Sequence, residues 1–184
     1  MNRINGPLSR KTALGFSFCL SILGIASTVS AEPTIKQTDA HPQYFAELEP
    51  HLALGWFSPP GPGHGNGWGA GFQASFELVD PGFIKNLNNT VAIGVGLDWL
   101  NYGRGGDHTR YVWVPVVMQW NFFISDDWSV FGEPGIALRM HNHGSDTVDP
   151  LILRLGARWH FNDAMSLTMR IGYPTASVGV SFFL

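Results

Sequence analysis

Apolar and polar residues alternate along most of the chain after residue 44. In the last nine residues, one face carries Ala176, Val178, Val180, Phe182 and Leu184, and the other carries Ser177, Gly179, Ser181 and Phe183. A period of two is typical of a β-strand whose faces meet different surroundings. An apolar strand without a free edge avoids aggregation, so this pattern favours a strand that closes a barrel.

Seven further segments alternate in the same way. They cover residues 45–56, 68–78, 90–102, 111–122, 128–141, 151–161 and 165–173. Aromatic residues lie near the segment ends: Trp56, Trp68, Trp99, Trp120, Trp128, Trp159, Tyr173 and Phe182. Such rings favour the headgroup level of a membrane. The pattern predicts an all-β fold, an eight-stranded antiparallel up-and-down transmembrane β-barrel with its apolar faces toward lipid.

Three prolines lie inside these segments, at Pro50, Pro115 and Pro134. Proline has no N–H to donate to a strand ladder. We therefore expect bulges or shortened strands at these positions.

The first 31 residues have the layout of a secretory signal peptide. Arg3, Arg10 and Lys11 precede an uncharged apolar run at 13–26, and small residues at 29–31 suit signal peptidase. We expect residues 1–31 to be removed, residues 32–43 to form a short flexible periplasmic tail, and residues 44–184 to form the barrel. The single cysteine, Cys19, lies in the signal, so the remaining chain has no disulfide and no cysteine metal site.

The charge balance excludes one class of partner. All 14 Asp and Glu lie after residue 31, together with only eight of the 11 Lys and Arg. This part of the chain contains no run of basic residues. The mildly acidic chain is therefore not expected to bind nucleic acid.

The last strand also carries a motif. Gly179, Phe182 and Leu184 match the G-x-x-aromatic-x-hydrophobic assembly signal of outer-membrane barrels, and residues 126–135 read as a strand opening common in them. With the eight-segment layout, the chain resembles the small eight-stranded outer-membrane barrels of Gram-negative bacteria, of the outer-membrane protein A and X kind. The resemblance implies a monomer in the cell outer membrane. Its implied partners are outer-membrane lipid, lipopolysaccharide and the barrel assembly machinery.

The polar faces place charged residues of both signs toward the lumen: Glu47, Glu49, Glu77, Asp98, Glu133, Arg139, Arg154, Arg158 and Arg170. With His51 and His160 this set resembles an active site in composition. A barrel of eight strands, however, has an interior just wide enough for side chains, and buried charges must pair. We expect a structural charge network, with a narrow channel gated by these pairs as the alternative.

One sequence feature suggests an enzyme. His143 and Ser145 have the spacing of the histidine and serine in outer-membrane lipid A deacylases, where a histidine base activates a serine nucleophile. His64, His108, His141 and His143 lie at the predicted outer rim, where two or three of them could bind Zn²⁺ or Cu²⁺. Histidines scattered over separate loops are more often solvated, so we expect no metal site.

The sequence thus leaves three functions open. The first is a non-enzymatic barrel with a structural, adhesion or surface-contact role, with no cofactor. The second is a lipid hydrolase that uses His143 and Ser145, and the third is the narrow channel. Fold alone does not separate them.

Overall fold

A computed structural model describes residues 34–38, 40–55, 65–104, 107–142 and 145–184, without the side chains of 104, 107 and 108. The predicted signal peptide, residues 1–31, lies outside the described part of the chain. No helix among the described residues is long and apolar enough to cross a bilayer.

The described chain forms eight strands after one 3₁₀ turn at Thr34–Lys36. The strands are β1 (Ala46–Gly55), β2 (Gly67–Val79), β3 (Asn89–Arg104), β4 (Asp107–Phe123), β5 (Trp128–His141), β6 (Thr147–Asn162), β7 (Met165–Tyr173) and β8 (Ala176–Phe183). Each boundary lies within four residues of the one predicted from alternation. The largest differences are the starts of β4 and β6, which extend into the predicted loops.

Every strand pairs antiparallel with its neighbour in sequence, and β8 pairs with β1 to close the barrel. The last residue completes this seam. The Leu184 amide donates to the Ala46 carbonyl at 2.9 Å, and the Leu184 carbonyl accepts from the Phe45 amide at 2.8 Å. The predicted fold class is confirmed. We call the end where β1 begins and β8 ends the N-terminal end, and the opposite end the loop end.

The two faces of the sheet are opposite in polarity. On the outer wall Leu52 is 66% exposed and Leu155 is 61% exposed, whereas the inward Glu49 and Arg154 are 1% and 2% exposed. Apolar side chains outside and charged side chains inside are the arrangement that lipid imposes on a barrel.

The predicted aromatic tips mostly lie on this outer wall. The exposed ones are Trp68, Trp99, Trp128, Trp159 and Phe182. Trp120 is half-buried and Trp56 lies outside the described residues. Tyr173 departs from the prediction, because its ring packs edge-on against the buried Trp113 inside the barrel, with 5.9 Å between ring centroids. It lies at the very end of β7, where the strand alternation no longer fixes the side chain.

The prolines affect the ladder less than expected. Beside Pro50, Pro115 and Pro134, the pairing with one neighbouring strand skips two residue pairs and resumes in the same register. Of the three prolines, only Pro134 has a register shift beside it, between Gly135 and Ala137 on the β6 side. A missing N–H removes a hydrogen bond on one side only, so the strands continue through all three positions.

The chain before β1 packs across the N-terminal end of the barrel. The His41 ring stacks on Phe123 at 4.5 Å, and its Nδ1 lies 2.6 Å from the Asn88 side-chain oxygen. Tyr44 packs against Phe183 at 4.8 Å, and burial raises the pKa of the Tyr44 phenol well above its ordinary value. The prediction of a flexible tail at 32–43 did not include these contacts.

Candidate functional site

The candidate site is the charge network in the barrel lumen. Its members occupy alternate positions on β1, β2, β3, β5, β6 and β7, because every second residue of a strand points to the same face. The sequence therefore brings together side chains that are far apart along the chain.

The first cluster centres on Glu47 and Arg158. The guanidinium donates from Nε to Glu47 Oε1 at 2.9 Å and from Nη2 to Oε2 at 2.6 Å. Glu47 also accepts from Gln119 at 3.1 Å and from Ser181 at 2.6 Å. Arg158 lies 4.1 Å from the centre of the Phe131 ring. Both charged side chains are fully buried, and both oxygens of the Glu47 carboxylate accept hydrogen bonds.

The second cluster centres on Glu133, which is 0% exposed. It lies 2.9 Å from Nε of Arg154, accepts from Nε of Arg170 at 3.1 Å, and accepts from Gln73 at 2.9 Å. Arg170 also binds Glu49 through Nη1. One arginine thus bridges two carboxylates, which links the cluster to β1.

A third group contains His51 and Asp98. Nε2 of His51 and Oδ1 of Asp98 form a hydrogen bond of 2.8 Å, and Nδ1 of His51 lies 3.5 Å from Glu49. Arg154 lies 3.8 Å from Asp98 and so connects this group with the second cluster. Gly71 leaves the space for the histidine, because a Cβ there would collide with both His51 and Asp98.

Two of the predicted network residues lie apart from these clusters. Arg139 pairs with Asp149 at 3.3 Å near the loop end, where its guanidinium lies 5.4 Å from the centre of the Trp113 ring. Glu77 is half-buried near the N-terminal end, on β2, and none of the ion pairs of the described residues includes it. Neither residue contributes to the central network.

The central network fills the middle of the lumen with paired charges. Glu47, Glu49, Asp98 and Glu133 all have an arginine or His51 within 4 Å. Charges held in this way fix the strands relative to each other, because separating a buried pair leaves an uncompensated charge. The arrangement supports a structural role for the lumen.

Sequence reasoning did not single out the neutral partners of this network. They are Gln73, Gln119, Asn121 and Ser181. These four neutral residues lie on the polar faces of their segments. That position is the one sequence feature that indicates an inward-facing side chain. Asp149, the acidic partner of Arg139 near the loop end, is also absent from the predicted set. Asp149 was assigned to a loop because β6 begins earlier than predicted.

The enzyme hypothesis falls largely outside the described chain. His143 is not described, and Ser145 is exposed in the connection between β5 and β6. Ser145 is close to the mouth of the barrel, but its relation to His143 stays a prediction.

The four histidines of the predicted outer rim, for which no metal site is expected, are also only partly described. His64 and His143 lie outside the described residues, as does the side chain of His108. His141 stacks on Tyr111 at 5.3 Å. No group of three or more His, Cys, Asp or Glu suited to a metal occurs among the described residues.

The predicted assembly signal lies on the closing strand. Phe182 and Leu184 face outward and are 39% and 56% exposed. Gly179 faces inward, where an added Cβ would lie 2.6 Å from the Cβ of His51. The glycine therefore permits close packing of β8 against β1, and the recognition of this motif by an assembly machinery stays a prediction.

Comparisons with known proteins identify the fold. No protein-family model and no curated protein sequence matches the chain. The crystal structure of Ail, the attachment invasion locus protein of Yersinia pestis, aligns with a TM-score of 0.50 and 11% identity over 77% of this chain and 99% of Ail.

Two other solved structures align over a similar share of the chain. Neisserial surface protein A, NspA, gives a TM-score of 0.47 and 14% identity over 76% of this chain and 97% of NspA. A de novo designed transmembrane β-barrel gives 0.47 and 11% over 78% and 99%. The fold of the small eight-stranded outer-membrane barrels, predicted from the sequence, is confirmed by the closed eight-stranded sheet and the likeness to Ail.

Proposed function

We propose that this protein is an integral outer-membrane barrel with a non-enzymatic role in structure, adhesion or surface contacts. The observation that carries the proposal is the combination of an apolar outer wall with a lumen filled by paired charges. Such a barrel is a rigid scaffold. Its connections at the loop end are then the parts that contact binding partners.

The same architecture supports an outer-membrane location. A chain that exposes a belt of Leu, Val and Trp requires lipid around it, and among β structures only a closed barrel satisfies its backbone there. The alternating pattern and the proposed signal peptide support the outer membrane, with the N-terminal end in the periplasm and the loop end at the cell surface. The proposed partners are outer-membrane lipid, lipopolysaccharide and the barrel assembly machinery, and the proposed state is a monomer.

Two measurements test the location. Cell fractionation should recover the mature protein, beginning near residue 32, in the outer membrane. In a detergent gel, an unboiled sample should migrate differently from a boiled one. Identical migration together with recovery from the soluble periplasm would refute the proposal.

The surface-contact role needs a separate test. Cells that express the wild type are compared, for attachment to host-cell or glycan-coated surfaces, with cells whose loop 57–67 is replaced by a Gly-Ser linker of equal length. The proposal expects weaker attachment at equal surface abundance. Equal attachment for this variant and for an equivalent replacement of 142–146, the connection between β5 and β6, would restrict the role to membrane structure.

A further inference from the structure

The outer wall of the barrel has a depression along β5. Between Val130 and Ile136, the outward positions of β5 are Gly132 and Pro134. Glycine has no side chain and the proline ring is short, so neither projects far from the backbone of the outer wall. Neighbouring strands contribute larger side chains on both sides, from Met118 on β4 and Leu155 on β6. The result is an apolar groove of about 490 Å³ on the outer wall.

A second groove adjoins the first. It has a volume of about 460 Å³, shares Met118 and Pro134 with the first groove, and extends to Leu78 and Phe83 near the N-terminal end. We call the two together the wall trough. It therefore reaches from the middle of the outer wall to the level where β2 ends and the next connection begins.

The connection at residues 80–88 is held firmly against the mouth of the wall trough. The buried Asn89 side chain donates from Nδ2 to the carbonyls of Ile84 and Leu87, both at 2.7 Å. Its Oδ1 accepts from the indole N–H of Trp120 at 2.9 Å. Phe83, 59% exposed, packs edge-on against Trp120 at 5.6 Å. A fixed connection with an exposed aromatic side chain is suited to the headgroup level of a membrane.

The same connection carries an exposed cation, Lys85, two residues after Phe83. A lysine at the membrane surface attracts anionic headgroups. The structure thus combines an apolar trough in the hydrocarbon zone with an aromatic residue, Phe83, at its mouth and a cation two residues further along the same connection. These are the features that the chains and phosphate of a phospholipid require.

We propose that the wall trough is a binding site for one anionic glycerophospholipid in the leaflet at the N-terminal end. An acyl chain lies in the trough along Gly132 and Pro134, and the phosphate lies at the headgroup level near Lys85. A flexible chain fills an irregular groove well, because each methylene gains contacts that a void does not supply. The trough is continuous with the lipid-facing wall, so lipid reaches it directly.

The test fills the trough without disturbing the barrel. A Cβ at Gly132 would have its nearest neighbour, Leu155 Cδ2, at 3.8 Å, so Gly132→Leu fits the structure. Ala74→Leu is the matched control, because Ala74 also faces outward, on β2, and does not line the trough. Gel mobility of unboiled samples verifies that each variant is folded.

The measurement is native mass spectrometry of detergent-purified protein mixed with dioleoyl phosphatidylglycerol or dioleoyl phosphatidylcholine. Wild type and Ala74→Leu should retain one phosphatidylglycerol, and Gly132→Leu should lose it. Lys85→Gln should weaken phosphatidylglycerol retention about fivefold and leave phosphatidylcholine unchanged. No retention by the wild type, or equal retention by Gly132→Leu, overturns the proposal. A dimer that Gly132→Leu dissociates also overturns it, because a second copy would then occupy the trough.

Discussion

The buried pair of Glu47 and Arg158 allows the role of the lumen to be measured. Glu47→Gln removes the carboxylate that accepts two hydrogen bonds from Arg158 and leaves the guanidinium with Asn121 and the Phe131 ring as its neighbours. Breaking a buried ion pair by removing one partner costs about 3–5 kcal/mol. Arg158→Met should cost a similar amount, because it leaves Glu47 with only Gln119 and Ser181 as partners.

The double variant separates pairing from packing. In Glu47→Gln with Arg158→Met neither charge is left alone, so its cost should be smaller than the sum of the single costs by about 2–3 kcal/mol. The free energy of unfolding is measured by urea titration in phosphatidylcholine vesicles, with gel mobility as the readout. Asp163→Asn, an exposed change in the β6–β7 turn, is the control and should leave the midpoint unchanged.

An additive result would refute this reasoning. If the double variant loses the full sum of the single costs, Glu47 and Arg158 do not stabilise each other, and the network would then be a set of independent polar residues. If neither single variant destabilises the barrel, water reaches the lumen and screens the charges, which would favour the channel hypothesis.

Four other outcomes are expected. Gly156→Ala should destabilise the barrel by about 1–3 kcal/mol in the same titration, because its Cβ would run into a buried phenylalanine ring, whereas Gly132→Ala should have no measurable effect. His41→Ala should lower stability by about 1–3 kcal/mol through the loss of its ring stacking and hydrogen bond, and an unchanged midpoint would show that the N-terminal segment does not contribute. Cells expressing Ser145→Ala and wild type should show the same lipid A acyl pattern by mass spectrometry, and a difference would support the hydrolase. Planar-bilayer recordings of the wild type should show no sustained conductance, and frequent long openings would support the channel.

The fold could be predicted because one physical rule applies to all eight strands. Strand residues alternate between lipid and lumen, so the position of a residue such as Leu155 or Arg158 follows from counting. The rule stops where the strands stop. Tyr173, at the end of β7, turns inward against Trp113, and alternation contains no information about that rotation.

The pairs within the lumen were harder to predict. Alternation places a side chain inside the barrel but does not give its height or its neighbours across the lumen, which depend on strand stagger. Glu77 therefore seemed equivalent to Glu133, yet it lies near the N-terminal end, away from the arginines.

The contacts of the N-terminal segment could not be predicted for a different reason. Its polar, proline-containing composition is typical of a flexible tail, and its contacts with Phe123 and Asn88 depend on tertiary structure.

The seam between β1 and β8 has a consequence for how the chain folds. Ser181 bonds Glu47 across 134 residues of sequence, and the Leu184 backbone pairs with residues 45 and 46. The first strand therefore has no partner on one side until the last residues have been made. Contacts of such long range are slow to form. The barrel can therefore close only after β8 has been made, and removal of β8 would leave an open sheet with two unpaired edges, at β1 and β7.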